Sequence, residues 1–222
     1  MNRPLPNKVK ICCISSNEEA ALAIRYGATA IGLVGPMPSG PGIIDDSLIK
    51  EIANTIPPPI DTFLLTCETS VTGIIAHHKR APTTTIQLVD SLQEGTYQEI
   101  KAHLPTIQLI QVIHVSNETS VKEAIQIAPQ VDALLLDSGN PNLAVKELGG
   151  TGRTHNWKLS RKIRDAVSIP VYLAGGLNAT NVRQAIEQVQ PYGVDLCSGV
   201  RTNGYLDELK LKAFFEAVRG VE

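Results

Sequence analysis

Two side chains in this chain of 222 residues are suited to proton transfer, the thiol of Cys12 and the carboxyl group of Asp137. Each stands at the end of a short apolar run, and a thiolate and a carboxylic acid facing each other across a pocket form an acid–base couple. A thiol is a usable base only when its pKa is lowered, to which Lys10 or phosphate-binding dipoles could contribute. The alternatives are a small buried apolar role for Cys12 and a cap or turn role for Asp137.

Two glycine-containing segments late in the chain predict a phosphate site. Gly175 and Gly176 follow one apolar run, and Asn181 then opens a helical segment whose first N–H groups would face the same space. Ser198 and Gly199 follow the next apolar run, as a matching element. The alternative is that these glycines only make tight turns.

A third glycine-rich segment, G-G-T-G-R-T at residues 149–154, lies in a long stretch between residues 137 and 157. Long connections in compact domains tend to be functional or disordered. Glycine-rich backbone with Thr and Arg suits a lid that donates N–H groups to an anion, which gives Gly152 and Arg153 a predicted part in the site. A mobile surface loop is the alternative.

Other polar residues have weaker claims to a functional role. Cys13 would point away from Cys12 on an alternating strand, which predicts a core position. His77 and His78 are predicted on an exposed helix, where adjacent residues do not share a face. His114 could line the pocket or be structural, and Asp90 is a modest pocket candidate. The sequence contains no HxxxH, HExxH or carboxylate cluster that would predict a metal site.

The elements that must position these residues alternate along the whole chain. Eight apolar runs predict strands, and an amphipathic segment follows each of them, which is typical of a (β/α)8 TIM barrel forming a single domain over residues 1–222. A doubly wound open sheet is the rival, but the turn after the first strand lacks the glycines which that fold usually shows. The predicted strands span residues 9–14, 30–34, 62–65, 85–88, 109–114, 133–136, 171–174 and 194–197.

The helix predictions rest on apolar spacing and on start and stop signals. Asn17 is a possible N-cap of the first helix, and Gly27 is a plausible residue just beyond its end. In a barrel, loops that follow the strands share the catalytic face, so Cys12 and Asp137 are expected at one mouth. The predicted helices span residues 17–26, 46–55, 70–78, 97–104, 118–128, 158–167, 181–189 and 206–218.

Composition limits the function classes. The formal net charge is -2, from 20 Lys and Arg against 22 Asp and Glu, so there is no basic surface for nucleic acid. No apolar run reaches about 18 residues, which predicts no membrane span. Four cysteines in a chain of this length do not make a disulfide framework, and the first ten residues lack the apolar segment of a secretory signal. We therefore expect a cytoplasmic globular protein.

Several segments together resemble phosphoribosylanthranilate isomerase and cover nearly the whole chain. The resemblance implies isomerisation of N-(5-phosphoribosyl)anthranilate by an Amadori rearrangement in tryptophan biosynthesis, without metal or cofactor. It implies that Cys12 is the general base at C2, that Asp137 is the general acid at the ribose ring oxygen, and that Lys10, Gln87 and Arg153 contact substrate. The segments are K-I-C at 10–12, A-T-A-I-G-L-V at 28–34, I-Q-L at 86–88, L-L-D-S at 135–138, G-G-T-G-R-T at 149–154, L-A-G-G-L-N at 173–178 and 194–200.

The resemblance is weakest at the end of the pocket that would hold the aglycone. Gly42 stands where the family has an arginine for the anthranilate carboxylate, and Val89 replaces a histidine. Arg201 replaces an acidic residue, and Arg153 or Arg201 could supply the missing cation. The alternatives are a paralogous isomerase acting on another phosphoribosyl amine and a non-catalytic barrel that binds a sugar phosphate. All three take a small phosphoribosyl ligand, and the protein is expected as a monomer or homodimer.

Overall fold

Eight apolar runs form the parallel strands of a closed barrel in the computed structural model, which describes residues 6, 8–38, 40–139, 152 and 154–220. The predicted (β/α)8 fold is confirmed, and the first strand ends three residues earlier than predicted. The strands are β1 (Lys8–Ile11), β2 (Ala30–Val34), β3 (Asp61–Thr66), β4 (Thr85–Leu88), β5 (Gln108–His114), β6 (Ala133–Asp137), β7 (Val171–Leu173) and β8 (Gly193–Leu196).

The strands follow chain order around the ring, and β8 closes it by pairing with β1. In the closing pair Lys10 lies opposite Asp195, and Ile11 lies opposite Leu196. All pairs are parallel, so the carboxyl ends of the strands meet at one face of the barrel. That face is where catalytic residues are placed in this architecture.

A helix follows each strand and covers its outer side. Ser16 is the N-cap of the first helix, because its extended backbone brings its hydroxyl to the N–H of Glu19. Asn17, the predicted cap, is instead the first helical residue. No helix in the described ranges is long and apolar enough to cross a membrane. The helices are α1 (Asn17–Tyr26), α2 (Asp46–Thr55), α3 (Val71–Arg80), α4 (Tyr97–His103), α5 (Glu118–Ile127), α6 (Trp157–Ala166), α7 (Val182–Val189) and α8 (Glu208–Arg219).

The apolar core has two layers, because strand side chains alternate between the two sides of the barrel wall. Phe63 and Leu135 belong to the inner layer. Leu64, Ile163 and Phe214 belong to the larger layer between the strands and the helices. The inner layer fills the barrel beneath the mouth, so a pocket can open only above it.

His77 and His78 on α3 are buried, and the prediction that they face solvent is wrong. The ring of His77 bonds to the hydroxyl of Thr66 at 2.7 Å, and the ring of His78 bonds to the backbone of Thr83. Adjacent helical residues do point in different directions, but α3 packs against both α2 and α4. Both directions are therefore covered by protein.

The chain after β8 forms a small ribbon beside the mouth of the barrel. A 3-10 turn, Ser198–Val200, leads into the antiparallel pair β9 (Arg201–Thr202) and β10 (Tyr205–Leu206). Arg201 pairs with Leu206 across this ribbon, and α8 begins two residues later. The ribbon therefore stands between the eighth strand and the last helix.

Candidate active site

A pocket opens at the carboxyl ends of the strands. Cys12 and Asp137 both contribute to its wall, as do the segments predicted to bind phosphate. The lining residues are Cys12, Cys13, Val34, Met37, Gly40, Pro41, Leu65, Gln87, Val89, Asp137, Gly152, Ala174, Gly175, Gly176, Leu177, Asp195, Leu196, Cys197 and Ser198.

The turn after β1 presents two cysteines to this pocket. The N–H of Cys12 donates to the carbonyl of Leu196 at 2.9 Å, which continues the pairing of β1 with β8. Cys13 then takes a left-handed backbone conformation with φ 62°. Because the extended strand has ended at Ile11, side chains no longer alternate between the two sides, and Cys13 lines the pocket beside Cys12. The prediction that Cys13 points away from Cys12 is therefore wrong, but its predicted core position is confirmed, since Cys13 is buried in the inner layer.

The surroundings of Cys12 favour its thiolate. The thiol of Cys13 donates a hydrogen bond to the Cys12 sulfur and lowers the pKa of Cys12. Burial opposes this shift, and the charge of Lys10 adds to it. The same contact with Cys12, the neighbouring Cys197 and burial raise the pKa of Cys13, which keeps Cys13 protonated. One thiol of the pair is thus arranged as donor and the other as base.

Lys10 lies beneath the pocket and not in its wall. Its side chain is fully buried, its ammonium group is 2.9 Å from the carboxylate of Asp195, and it stands 5.1 Å from the ring centre of Phe63. Burial works against its charge, but the Asp195 carboxylate outweighs burial and raises the pKa of Lys10. Contact between Lys10 and a ligand, as predicted, does not fit this position. Lys10 instead supplies positive charge from behind Cys12.

Asp137 ends β6, which is separated from β1 by β7 and β8. One of its carboxylate oxygens accepts a hydrogen bond from the N–H of Ser138 at 2.7 Å. Burial raises the pKa of Asp137 despite that bond, so the structure favours the protonated acid. The pocket therefore places a group disposed to accept a proton and a group disposed to donate one on different sides of one space.

Three of the predicted anion-binding segments converge at the mouth. Gly175 and Gly176 have φ values of 83° and 61°, which suit glycine. A Cβ at Gly199 would lie 2.0 Å from the carbonyl oxygen of Leu177, so Gly199 is required for the loop after β8 to pack on the loop after β7. A Cβ at Gly152 would lie 3.5 Å from the hydroxyl oxygen of Ser198, which places Gly152 at the same spot.

These segments differ in how they meet the pocket. Gly152, Gly175, Gly176 and Ser198 line it, whereas Gly199 packs behind Ser198. The side chain of Asn181 does not cap α7, because its amide donates to the carbonyl of Gly176 at 2.9 Å. Asn181 therefore shapes the loop after β7.

Gln87 is the predicted substrate contact on the opposite part of the ring. It is only 3% exposed and lines the pocket, and its Oε1 atom has no hydrogen-bond partner among the described residues. A buried acceptor left without a partner is costly, so it suits a ligand that brings a donor. His114 and Asp90 are not among the lining residues; the His114 ring contacts the carbonyl of Val89 at 3.1 Å.

The wall formed by the loops after β2 and β4 is apolar and closely packed. Gly42 has φ 73°, and a Cβ there would lie 2.4 Å from the Cβ of Cys13, so no side chain fits at residue 42. Arg201, one predicted replacement for a cation on this wall, has its guanidinium group paired with Glu19 instead. Arg153, the other, lies outside the described residues.

Three lining residues with titratable side chains were not predicted as site residues from the sequence, Cys13, Asp195 and Cys197. A signal for Asp195 was present, because a buried Lys10 needs an acid on the neighbouring strand and Asp195 occupies that register. No comparable pattern marks Cys13 or Cys197. Within the described part of the chain, no three His, Cys, Asp or Glu side chains are grouped so that they could hold a metal ion.

Comparisons with known proteins find similar proteins over nearly the whole chain. The family model described as N-(5'-phosphoribosyl)anthranilate (PRA) isomerase matches residues 9–217. A Methanocella arvoryzae protein named N-(5'-phosphoribosyl)anthranilate isomerase is 34% identical over 213 residues, covering 96% of this chain and 98% of that protein.

Two solved structures superpose on nearly the whole chain. A phosphoribosylanthranilate isomerase in complex with reduced 1-(o-carboxyphenylamino)-1-deoxyribulose 5-phosphate gives a TM-score of 0.76 at 27% identity, covering 96% of this chain and 98% of that one. Monomers derived from the dimeric phosphoribosylanthranilate isomerase of Thermotoga maritima give 0.77 at 25% identity, with the same coverage.

Proposed function

This chain belongs to the family of N-(5'-phosphoribosyl)anthranilate isomerases, aldose–ketose isomerases of tryptophan biosynthesis, and from that premise we propose that Cys12 and Asp137 perform the proton transfers. The observation that carries the proposal is the pocket that both residues line, where Cys12 favours its thiolate and Asp137 its protonated acid. A general base and a general acid need these opposite states at the start of the reaction.

The reaction then proceeds by opening of the ribose ring followed by proton transfers. Asp137 donates its proton to the ribose ring oxygen, the bond between that oxygen and C1 breaks, and the nitrogen lone pair forms a C1=N Schiff base. The Schiff base makes the C2 hydrogen acidic, and the Cys12 thiolate removes it. The electron pair of the C2–H bond forms C1=C2 while the C1=N pair returns to nitrogen. The resulting enol takes a proton from Cys12 at C1 and gives the proton of its C2 hydroxyl to Asp137, directly or through solvent, which forms the ketone and restores both groups.

The remaining lining residues are assigned to binding. We assign the phosphate to the segments at Gly152, Gly175, Gly176 and Ser198, since left-handed and glycine-rich turns can present several N–H donors to one anion. Gln87 is assigned to a ribose hydroxyl. The aromatic ring of the substrate is assigned to the apolar wall that includes Val34, Met37, Leu65 and Val89.

Arg153 is the proposed partner of the anthranilate carboxylate, since Arg201 is committed to Glu19. A carboxylate remote from the reacting bonds is held about equally in ground and transition states, so Arg153→Ala should raise KM and leave kcat almost unchanged. Loss of a charge-assisted hydrogen bond of about 1.5–3 kcal/mol corresponds to a rise in KM of roughly 10- to 150-fold. A fall in kcat at unchanged KM would contradict this assignment. We further propose a cytoplasmic enzyme that is a monomer or homodimer.

The direct test is the consumption of phosphoribosylanthranilate by the purified protein, followed by the loss of its fluorescence. We expect turnover in wild type and background rates in Cys12→Ala. Wild-type rates at background, with inorganic phosphate still bound by the glycine-rich segments, would identify the non-catalytic sugar-phosphate-binding barrel instead. Turnover of other phosphoribosyl amines, but not of the anthranilate compound, would identify the paralogous isomerase.

A further inference from the structure

The guanidinium group of Arg201 lies against the backbone of the turn that carries Cys12. One terminal nitrogen, Nη2, is 2.6 Å from the carbonyl oxygen of Cys13 and 3.3 Å from that of Cys12. The other, Nη1, donates to the carbonyl of Gly204 at 2.9 Å. Arg201 is only 9% exposed and is not among the residues that line the pocket.

Glu19 on α1 fixes the guanidinium group in this place. Its two carboxylate oxygens accept from Nη1 and Nη2 of Arg201 at 2.8 and 3.1 Å. They also accept from the N–H of Leu206 on the ribbon and from the N–H of Ser15 in the turn after β1. The ion pair thus ties the turn after β1 to the ribbon after β8.

Two features of this arrangement cost free energy, the burial of the Arg201 charge and the left-handed backbone of Cys13. A buried charge is tolerated only when it is paired, and Glu19 supplies the opposite charge, while the Nε donor of Arg201 is buried without a partner among the described residues. The turn itself is unfavourable, because Cys13 is a residue with a side chain in the left-handed region. Bonds from Arg201 to two successive carbonyl groups hold the turn in that conformation.

We propose that Arg201 is a positioning residue for Cys12, which holds the turn after β1 so that the Cys12 sulfur faces the pocket. The inference rests on the proposed role of Cys12 as general base. Arg201 acts through the backbone and touches no reacting atom. Its two terminal nitrogens are occupied by Glu19 and by three backbone carbonyl groups, and its Nε donor is buried outside the pocket lining, so the substrate carboxylate is not its partner.

The experiment compares kcat and KM in Arg201→Met, Arg201→Lys and a matched control. A base displaced by about 1 Å can cost about 100-fold in rate, so we expect kcat to fall roughly 10- to 100-fold in Arg201→Met, with KM within about 3-fold. Arg201→Lys keeps the charge but not the planar pair of donors and should recover part of that loss. Arg183→Met is the control, because Arg183 pairs with Glu187 on α7 and donates to the carbonyl of Val218, away from the pocket.

Several outcomes would overturn the proposal. One is an unchanged kcat in Arg201→Met. Another is a rise in KM with kcat intact in that variant, which would indicate a role in the phosphate loop after β8. The third is an equal loss of kcat in the control, Arg183→Met. If Arg201→Met does not fold, Glu19→Gln keeps the oxygen acceptor but weakens the hold on the guanidinium group. A smaller, kcat-selective loss is expected there, and wild-type kinetics would overturn the proposal.

Failure of the proposed function is recognised separately. If Cys12→Ala retains wild-type turnover, Cys12 is not the base, whatever Arg201 does. If Cys12→Ala is inactive and Arg201→Met has wild-type kcat, only the positioning role is wrong.

Discussion

The two sides of the pocket are built in different ways. The side formed by β1, β6, β7 and β8 combines titratable groups, a buried ion pair between Lys10 and Asp195, and turns of glycine. The side formed by the loops after β2 and β4 consists of apolar side chains and of Gly42 packed on Cys13. The first side is organised around charge and proton transfer, and the second around shape.

This difference separates chemistry from recognition within one site. In the proposed function, the acid, the base and the glycine turns act on the sugar phosphate, which is the part of the substrate where bonds change. In the same proposal the apolar wall meets the aromatic ring of the amine, where no bond changes. A change on the wall can therefore alter affinity or selectivity while the proton transfers remain, and a change at Cys12 or Asp137 should do the opposite.

The largest effect is expected from removing the acid or the base. Cys12→Ala and Asp137→Ala should each reduce kcat by about 10²–10⁴-fold, since that is the usual contribution of a positioned acid or base. Both residues lie at the catalytic rim, away from the opposite, stabilising face of the barrel, so thermal unfolding should show a folded protein. Turnover and melting temperature are the two measurements.

Cys67→Ala is the control for loss of a thiol, because Cys67 is not among the pocket-lining residues. It should leave kcat unchanged. A Cys12→Ala protein with a near-normal rate would remove the distinction between the two sides, because the titratable side would then not carry the chemistry.

The barrel and the place of Cys12 and Asp137 at its mouth could be predicted from sequence because the signals are local. Alternating apolar runs set the strands, Gly27 closes α1 with φ 116°, and a polar residue at the end of a parallel strand lies at the catalytic rim of a barrel. The surroundings of other side chains could not be predicted, because they depend on contacts between residues distant in sequence. His77 is buried because helices on both sides cover α3, and Lys10 is withdrawn from the pocket by Asp195, 185 residues away.

Cys13 shows a different limit. Its position follows from where β1 ends, and a boundary wrong by three residues reversed the predicted direction of its side chain. Arg201 was predicted as a possible ligand contact from its charge alone. Only the folded turn shows that its donors face backbone carbonyl groups.

A smaller effect is expected at the apolar wall, where Gly42→Ala tests its close packing. The left-handed conformation costs about 1–3 kcal/mol for a residue with a side chain. A Cβ at residue 42 would also lie 2.4 Å from the Cβ of Cys13, and this overpacking should add roughly 1–3 kcal/mol. We expect the free energy of unfolding, measured with urea, to fall by the sum of these two costs.

Gly40→Ala is the matched control, because Gly40 also has a positive φ, 124°, but a Cβ there would meet only the Met37 sulfur, at 3.8 Å. It should show the conformational cost alone. Cys13→Gly combined with Gly42→Ala should recover part of the overpacking cost, as a positive coupling between neighbours. Equal losses at both glycines, without coupling, would show that the wall is not closely packed.

The smallest effect is expected where the two sides meet, at Cys13. The Cys13 thiol lowers the pKa of Cys12, so its removal in Cys13→Gly should raise that pKa. Since kcat/KM rises with pH as Cys12 loses its proton, the ascending limb should move to higher pH, while the descending limb, set by Asp137, should stay in place. A hydrogen bond contributes about 0.5–1.5 kcal/mol, so kcat/KM at pH values below the pKa of Cys12 should fall roughly 2- to 12-fold.

Glycine suits the φ of 62° at residue 13, and the control variant Cys13→Ser keeps a donor and should move the ascending limb less. If both variants move the limb equally, or neither does, the Cys13 thiol belongs to the packed wall alone and the two sides of the pocket are independent.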